Sequence, residues 1–168
     1  PDTVDLIDYA CFYKCKKLEA FKIPHSMNSL DFFTFSYTRL TQITIPKNIV
    51  KICYGSFLKC LHLNTVLFED ESNLIEIDDF AFSSTRIESF SIPKSVKRIG
   101  NYCFYNCRKL KSIEFDKNAE IKKIGFKCFE GTRITEGQLI DVFQKIDTFL
   151  TREETNCDYY EGIGMTYF

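Results

Sequence analysis

Hydrophobic residues recur along this chain with a period of 22 to 25 residues. A phenylalanine marks the same position in each period, five residues after an aliphatic residue and five or six before another apolar one. Periods of this length are typical of solenoids, in which each repeat is one structural unit. The pattern predicts about five and a half coils. The ladder phenylalanines are Phe12, Phe35, Phe57, Phe82, Phe104 and Phe129.

A short alternating motif follows the ladder phenylalanine in each of the first five coils. Ile43-Thr44-Ile45 shows the period of two that is expected of a strand with one buried face. Equivalent strands of successive coils are predicted to stack as a parallel sheet over a continuous core. Pro24, Pro46 and Pro93 follow three of these motifs, and a proline there removes a donor and ends the pairing. The apolar pairs are Phe21/Ile23, Ile43/Ile45, Val66/Phe68, Phe90/Ile92 and Ile113/Phe115.

Cysteine and threonine alternate three residues after the ladder phenylalanines. Coils with cysteine read Cys-x-x-Leu, and coils with threonine read Thr-Arg-[Leu/Ile]. The alternation gives a super-repeat of 47 residues, seen in the spacing of Thr38, Thr85 and Thr132. A small side chain with a hydroxyl or thiol can satisfy a carbonyl in a buried turn.

The coil from Ile99 to Ile113 reads IGNYCFYNCRKLKSI and resembles the BspA-like, or Treponema pallidum-type, leucine-rich repeats. The resemblance covers about residues 4–134. It implies a right-handed leucine-rich-repeat solenoid with short parallel strands. It also implies a surface adhesin or protein-binding module, as found in bacteria and parasitic protists. The chain departs from the family at the family's alanine, which only Ala81 matches, and at the family's glycine, found only at Gly100 and Gly125. The residues in place of alanine are Cys11, Thr34, Ser56, Cys103 and Cys128.

The repeat ends near Ile134, and a helical period begins. Apolar residues three and four apart predict one buried helix face, and Thr135 with Gln138 forms an N-terminal cap. We expect a capping helix over the last coil, with a partner-binding helix as the alternative. The predicted division is a solenoid at 1–134 and a cap helix with tail at 135–168. The apolar positions are Leu139, Val142, Phe143, Ile146, Phe149 and Leu150.

Composition favours an ordinary folded domain. The chain has 168 residues, 45% hydrophobic and 27% charged, with a net charge of -1, which argues against disorder. Bulk charge gives no support to nucleic acid or an anionic membrane as partner. No apolar stretch reaches the roughly 18 residues needed to span a bilayer. The N-terminus lacks both a signal-peptide pattern and an initiator Met, so we expect a piece of a longer protein.

Eight cysteines raise the question of metal sites and disulfides. Cys11/Cys15 and Cys103/Cys107 lie four coils apart, roughly 20 Å by strand spacing, too far for one zinc ion with bonds near 2.3 Å. We therefore predict no metal site and mostly small buried thiols. Cys103 and Cys128 share a ladder position in adjacent coils, about 5 Å apart and within disulfide range. Whether they are bridged stays open.

Catalytic candidates are weak. His25 and His62 fall at coil corners and are predicted to be solvated. The acidic turns, at Asp78-Asp79 and residues 69–71, lack the cleft in which a carboxylate is desolvated for acid catalysis. No catalytic, cofactor-binding or metal-binding residue is predicted.

The remaining candidates are surfaces. The arginines Arg39, Arg86 and Arg133 form a row, for which pairing with Glu19, Glu88 or Glu136 is favoured over an acidic partner. The other surface is the open side of the strands, the usual binding face of a solenoid. Its predicted partner-binding residues are Lys22, Gln42, Thr44, Thr65, Leu67, Ser89, Ser91, Ser112 and Glu114.

The sequence thus predicts a non-enzymatic protein-binding or adhesion module. The family resemblance implies host cell-surface or extracellular-matrix proteins as partners and a cell-surface location. The alternative is an intracellular structural scaffold, which the mostly unpaired cysteines and the missing signal peptide favour. The oligomeric state stays open, because an exposed coil edge can pair with another molecule.

Overall fold

Two sets of short strands alternate along the chain. The computed structural model describes Val4 and residues 6–135, 137–138 and 148–149. Two-residue strands and four-residue strands alternate from β1 to β9, and β10 is again a two-residue strand. The strands are β1 (Ser29–Leu30), β2 (Gln42–Ile45), β3 (Lys51–Ile52), β4 (Thr65–Phe68), β5 (Glu76–Ile77), β6 (Ser89–Ile92), β7 (Arg98–Ile99), β8 (Ser112–Phe115), β9 (Lys123–Ile124) and β10 (Thr148–Phe149).

The two-residue strands form one parallel sheet that runs the length of the solenoid. Its strand order is β1-β3-β5-β7-β9-β10. The second residue of β1, β3, β5, β7 and β9 is the aliphatic ladder residue before each phenylalanine, and it is fully buried, as Leu30 and Ile52 show. These aliphatic residues were recognised in the sequence pattern, but the sheet that they form was not predicted.

The strands predicted for the second to fifth coils are confirmed as β2, β4, β6 and β8, which are separate from the long sheet. β2 pairs with β4, and β6 pairs with β8, all in parallel register. Two predictions are wrong. The strands make two separate pairs rather than one continuous sheet, and the first coil has no strand at its Phe21/Ile23 motif.

Proline accounts for both interruptions. The N–H of Glu69 donates to the carbonyl of Ile45 at 3.1 Å, and that of Asp116 donates to Ile92 at 3.4 Å, which extends each strand pair by one bond. At the position equivalent to Glu69 and Asp116, the coil after Phe68 has Pro93, and the coil after the first one has Pro46. Neither has an N–H to donate, so pairing fails where a proline coil follows another coil.

The Cys/Thr ladder joins the same pairs of coils. Thr38 Oγ1 and Cys60 Sγ both donate to the carbonyl of Phe35, at 2.8 and 2.9 Å. In the next pair, Thr85 Oγ1 contacts Cys107 Sγ at 3.2 Å. We call a threonine coil with the cysteine coil after it a two-coil unit. Residues 29–75 and 76–122 form two such units, which explains the super-repeat.

The ladder phenylalanines fill the core between the two strand sides. Neighbouring rings are stacked, with centroids 5.2–5.7 Å apart and planes within 11° of parallel. Phe35, Phe57, Phe82 and Phe104 have no exposed surface. The predicted Phe ladder is therefore confirmed, and it sets the distance from one coil to the next.

The turn that carries each ladder phenylalanine has left-handed backbone on both sides. In all six coils the residues two before and two after that phenylalanine have φ between 50° and 76°. Phe33 is one such residue, a bulky side chain in a region that usually favours glycine. The centroids of the Phe33 and Tyr54 rings lie 5.1 Å apart. These rings belong to a second, outer row of aromatic side chains that was not predicted from the sequence.

The predicted capping helix lies mostly outside the described residues. Gln138 Oε1 accepts bonds from the N–H and hydroxyl of Thr135, at 3.0 and 3.1 Å, and Gly137 and Gln138 are helical. These bonds are the Gln138 half of the predicted N-terminal cap, and the capping helix over the last coil stays a prediction. Phe149 was placed on the helix face, which is wrong: Thr148–Phe149 is the strand β10, paired with β9, whose edge would otherwise be open. The domain division at residue 134 stays a prediction.

Candidate functional site

The open side of the four-residue strands is the candidate site, and we call it the strand face. Alternation along each strand buries one set of side chains and turns the other set outward, as in the pattern of β2 and β6. Thr65 and Ser112 are half-buried, and the other seven predicted partner-binding residues are exposed. Leu67, at 52% exposure, is the one large apolar side chain among them.

Small polar side chains dominate the strand face. Ser91 donates to Glu114 at 3.3 Å, and Thr65 donates to Asn64 at 2.7 Å. Short hydroxyl side chains lose little conformational entropy on contact. The face can therefore take up a partner broadly, while it offers few of the Trp, Tyr and Arg anchors that dominate binding energy.

Two grooves open on the strand face. The smaller, about 320 Å³, lies between residues 20–23 of the first coil and β2. The larger, about 550 Å³, crosses β4, β6 and β8. Both include a place where adjacent coils are not paired as strands. The grooves on the strand face therefore lie where proline interrupts the strand pairing.

The larger groove has an apolar floor and an acidic rim. Phe68, Ile92 and Phe115 line it, and they come from the ends of three neighbouring strands. Its charged lining residues are Glu69, Glu71, Glu114, Asp116 and Lys94. Four carboxylates against one ammonium make this end of the strand face acidic, so it favours a partner with basic and apolar side chains.

Glu69 lines both grooves, and His25 lines the smaller one. His25 Nε2 lies 2.9 Å from Glu69 Oε1, and the N–H of Lys47 donates to Glu69 Oε2 at 3.1 Å. The bond from Lys47 is the main reason that the pKa of Glu69 is lowered, and the bond from His25 is the next. His25 and His62 are both exposed, as predicted for solvated turn residues, and the contact of His25 with Glu69 is an addition to that prediction.

A charged cluster that sequence analysis missed lies on the long sheet. Arg98 forms ion pairs with Glu76, with Asp78 at 3.0 Å and with Asp79 at 3.1 Å. Lys51 reaches Asp78 at 3.2 Å. Arg98 lies one coil after Glu76 and Asp78 and is paired with Glu76 in the sheet, so the coil register was the signal that could have brought them together. Asp78 and Asp79 were interpreted as a surface turn, yet both are buried.

The cluster is electrostatically satisfied. Burial raises the pKa of Asp79, which two bonds from Asn101 and the charge of Arg98 oppose. Burial would lower the pKa of Arg98, but the bond and charge of Asp78 raise it overall. Each carboxylate here has a cation or an amide donor as partner. The arrangement holds three coils together and leaves no carboxylate set up as an acid catalyst.

The seven described cysteines are free thiols. Cys103 and Cys128 are stacked but not bridged, and burial, followed by the bond to Cys128, raises the pKa of Cys103 well above its ordinary value. Five of the seven are buried, as predicted for most of the cysteines, whereas Cys11 and Cys15 in the first coil are exposed. Within the described ranges, no three His, Cys, Asp or Glu side chains are grouped to hold a metal.

The arginine row forms no close ion pair with Glu19 or Glu88, although the charges of Lys109 and Arg133 contribute to the lowered pKa of Glu88. Glu88 bonds to Lys111 at 3.1 Å, which is one reason that the pKa of Glu88 is lowered. Arg39, Arg86 and Arg133 have no carboxylate within 4.0 Å among the residues with described positions, and Glu136 lies outside them. No helix in the described part is long and apolar enough to cross a bilayer.

Comparison with known proteins identifies the repeat. The family model for the BspA type leucine-rich repeat region matches in six copies, over residues 1–76 and 32–158. The crystal structure of the pneumococcal vaccine antigen PcpA is 26% identical, with a TM-score of 0.53 over 66% of this chain and 28% of that one. A leucine-rich repeat protein from Bacteroides ovatus is 23% identical, with a TM-score of 0.59 over 78% of this chain and 45% of that one.

This chain therefore spans less than half the length of either solved structure. The second likeness, below 25% identity, bears on the fold alone. No curated protein matches the chain.

Proposed function

Because the chain belongs to the BspA-type leucine-rich-repeat family, we propose that it is a non-enzymatic protein-binding module that adheres to host cell-surface or extracellular-matrix proteins. The binding surface is the strand face. The observation that carries the proposal is the open, grooved face of small polar side chains, which is the surface solenoids commonly use for partners. Leucine-rich-repeat modules generally mediate protein interactions, and their fold is generally non-enzymatic.

The larger groove supports a protein rather than a small-molecule partner. It is open along one side of three strands and combines an apolar floor with a charged rim, which is the composition of a protein-binding patch. Small-molecule sites are instead concave and enclose most of the ligand. We expect an extended segment with basic and apolar side chains to lie across β4, β6 and β8.

A cell-surface location belongs to the same proposal. The structure similar to this chain at 26% identity is described as a vaccine antigen, a term for a protein that antibodies recognise. The family and this neighbour support exposure on a cell or in the extracellular space.

The test is binding of the purified chain to a panel of extracellular-matrix proteins and to intact host cells. In the test variant, Thr44→Arg and Ser91→Arg place two long cations on the strand face. In the matched control, Val50→Arg and Ile75→Arg change two exposed residues that precede β3 and β5 on the other side. We expect the test variant to lose at least about tenfold in affinity, the usual effect of a clash at an interface centre, and the control to bind normally.

Equal binding by both variants would contradict the use of the strand face. A folded chain that binds no member of the panel would favour the alternative, an intracellular structural scaffold. The seven described free thiols favour that alternative, since reduced cysteines are typical of the cytosol. Labelling of intact cells with a reagent that does not cross the membrane separates the two: a labelled protein is at the surface.

A further inference from the structure

A line of exposed cations, with no close ion pair to any described carboxylate, runs along one corner of the solenoid. It lies just after the Cys/Thr ladder, where each coil turns toward the strand face. Every coil contributes at least one exposed lysine or arginine there except the third, which has Leu61 and His62. We call this line the basic ridge. Its members are Lys16, Lys17, Arg39, Arg86, Arg108, Lys109 and Arg133.

The fold fixes the spacing of the basic ridge. The backbone N–H of each arginine in a threonine coil donates to the leucine carbonyl of the preceding coil, at 2.8–3.0 Å. Stacked rings of the Phe ladder step 5.2–5.7 Å from coil to coil. Six coils at nearly the parallel-strand spacing give the basic ridge a length of roughly 27 Å, with a gap at the third coil.

The cations of the basic ridge are available to a partner. None of its seven members has a carboxylate within 4.0 Å in the part of the chain that the structure describes. Glu88 is the carboxylate whose pKa the ridge members Lys109 and Arg133 help to lower, and its close ion pair is with Lys111. Four other carboxylates, Glu69, Glu71, Glu114 and Asp116, line the larger groove at the opposite end of the strands.

We infer that the basic ridge binds a linear sulfated polysaccharide of the glycosaminoglycan kind, which lies along the solenoid axis with its sulfate groups on the arginines. A single flexible chain suits a row one to two cations wide, and guanidinium forks suit the oxygens of sulfate as they suit those of phosphate. This site is separate from the strand face and does not depend on the proposed protein partner.

Nucleic acid fits the basic ridge less well. Proteins that bind single strands stack bases on free aromatic faces. Here the Nζ atoms of Lys14 and Lys59 lie 5.7 and 5.4 Å from the centroid of the Tyr37 ring. These two ammonium groups cover the aromatic ring beside the basic ridge, where a base would otherwise stack. A duplex needs a broad basic footprint, whereas Glu19 and Glu88 flank this line.

A protein partner also fits less well. Tight protein contacts centre on buried aromatic or aliphatic anchors. Leu61, at 54% exposure, is the single large apolar side chain in the line. Charge without anchors favours a polyanion, whose affinity comes from neutralised sulfates and released counterions, as it does for phosphates.

The test is direct binding of the chain to a heparin oligosaccharide long enough to span the basic ridge. The variant carries Arg39→Gln, Arg86→Gln and Arg133→Gln. The control carries Lys47→Gln, Lys117→Gln and Lys122→Gln, three exposed lysines away from the ridge, with the same change in net charge. Thermal unfolding verifies that both are folded. Additional probes are desulfated heparin of the same length, polyglutamate and single-stranded DNA of equal charge.

We expect heparin to bind and the arginine variant to lose at least about tenfold in affinity, the sum of several exposed ion pairs. The control should bind as the native chain does, with weaker binding of desulfated heparin. Absence of heparin binding, or an equal loss in both variants, would overturn the inference. DNA or polyglutamate that binds as tightly as heparin would also overturn it, in favour of a general polyanion site. Binding on the strand face should be unchanged in the arginine variant, so this test is independent of the proposed function.

Discussion

The hydroxyl of Thr38 and the thiol of Cys60 lie 3.4 Å apart and donate to the same backbone carbonyl, that of Phe35. The two residues belong to successive coils, so one carbonyl holds two coils together at a fully buried turn. The same two coils are joined on the other side by the pairing of β2 with β4. A contact at each side makes them one mechanical unit.

Thr38→Val removes the hydroxyl with almost no change in shape. The carbonyl of Phe35 keeps the thiol of Cys60 and the backbone N–H of Thr38 at 3.2 Å, so we expect a loss of about 1–2 kcal/mol in unfolding free energy. Urea denaturation measures it. Thr44→Val on the exposed strand face is the control and should change stability by less than about 0.5 kcal/mol.

A double variant tests the shared carbonyl. When Thr38→Val is combined with Cys60→Ala, no side chain donates to Phe35. We therefore expect the pair to cost at least about 0.5 kcal/mol more than the two single changes together. Additive losses would show that the two donors act independently.

Pro93→Ala restores an N–H opposite the carbonyl of Phe68. We expect β4 and β6 to gain one ladder bond, which makes the new amide resistant to hydrogen exchange. The net change in stability should be within about 1 kcal/mol, because the bond gained offsets the looser unfolded chain. Amide exchange followed by NMR gives the answer, with the bonded amides of Glu69 and Asp116 as internal references. If the new amide exchanges as fast as an exposed one, proline is not the cause of the break.

Gly100→Ala should be severely destabilising. A Cβ atom at this position would lie 2.4 Å from the backbone nitrogen and Oδ1 of Asp79, and Asp79 is held by Arg98 and Asn101. The coils of Gly100 and Asp79 cannot move apart without breaking the charged cluster. We therefore expect the unfolding free energy to fall by about 3 kcal/mol. Thermal or urea unfolding measures it. Gly137→Ala is the control, since no described residue from another part of the fold lies within 4 Å of its Cβ position; it should be neutral or slightly stabilising in a helix.

Alkaline pH should destabilise the chain through its buried thiols. Burial raises the pKa of Cys60 and of Cys107 from 9.0 to about 11. Because these pKa values are higher in the folded state, their contribution is complete below pH 9 and is lost as the pH rises toward 11. Unfolding free energies measured at intervals from pH 8 to 11 should fall. Cys60→Ser removes one titrating group, and its decline should be shallower; identical slopes would contradict the thiols as the cause.

The sequence predicted those parts of the fold that rest on one repeated side chain. The Phe ladder, the Cys/Thr ladder and the exposed strand face follow from the period, because stacking places equivalent residues at one spot on every coil. The long sheet was missed because a two-residue strand such as Lys51–Ile52 has no alternation to detect. The cluster at Arg98 was missed because it depends on register between coils, since its partners are distant in sequence.

The effect of proline on the candidate site could likewise be predicted only in part. Its role in ending strands was predicted at Pro46 and Pro93, but the consequence lies in the neighbouring coil, whose last carbonyl loses a donor. The grooves of the strand face follow from that loss. Free cations on the basic ridge could not be predicted either, because Glu88 was an equally good partner for Arg86 until the position of Lys111 was known.

The two-coil unit also governs how such a chain can change its length. Removal of residues 76–122 would bring the coil of Thr132 onto that of Cys60, in the phase that Thr85 occupies now. Loss of a single coil would set two coils of the same kind against each other, threonine on threonine or cysteine on cysteine, and would break the pairing of threonine with thiol at the shared carbonyl. We therefore expect the solenoid to tolerate a change in length by two coils, or 47 residues, better than a change by one.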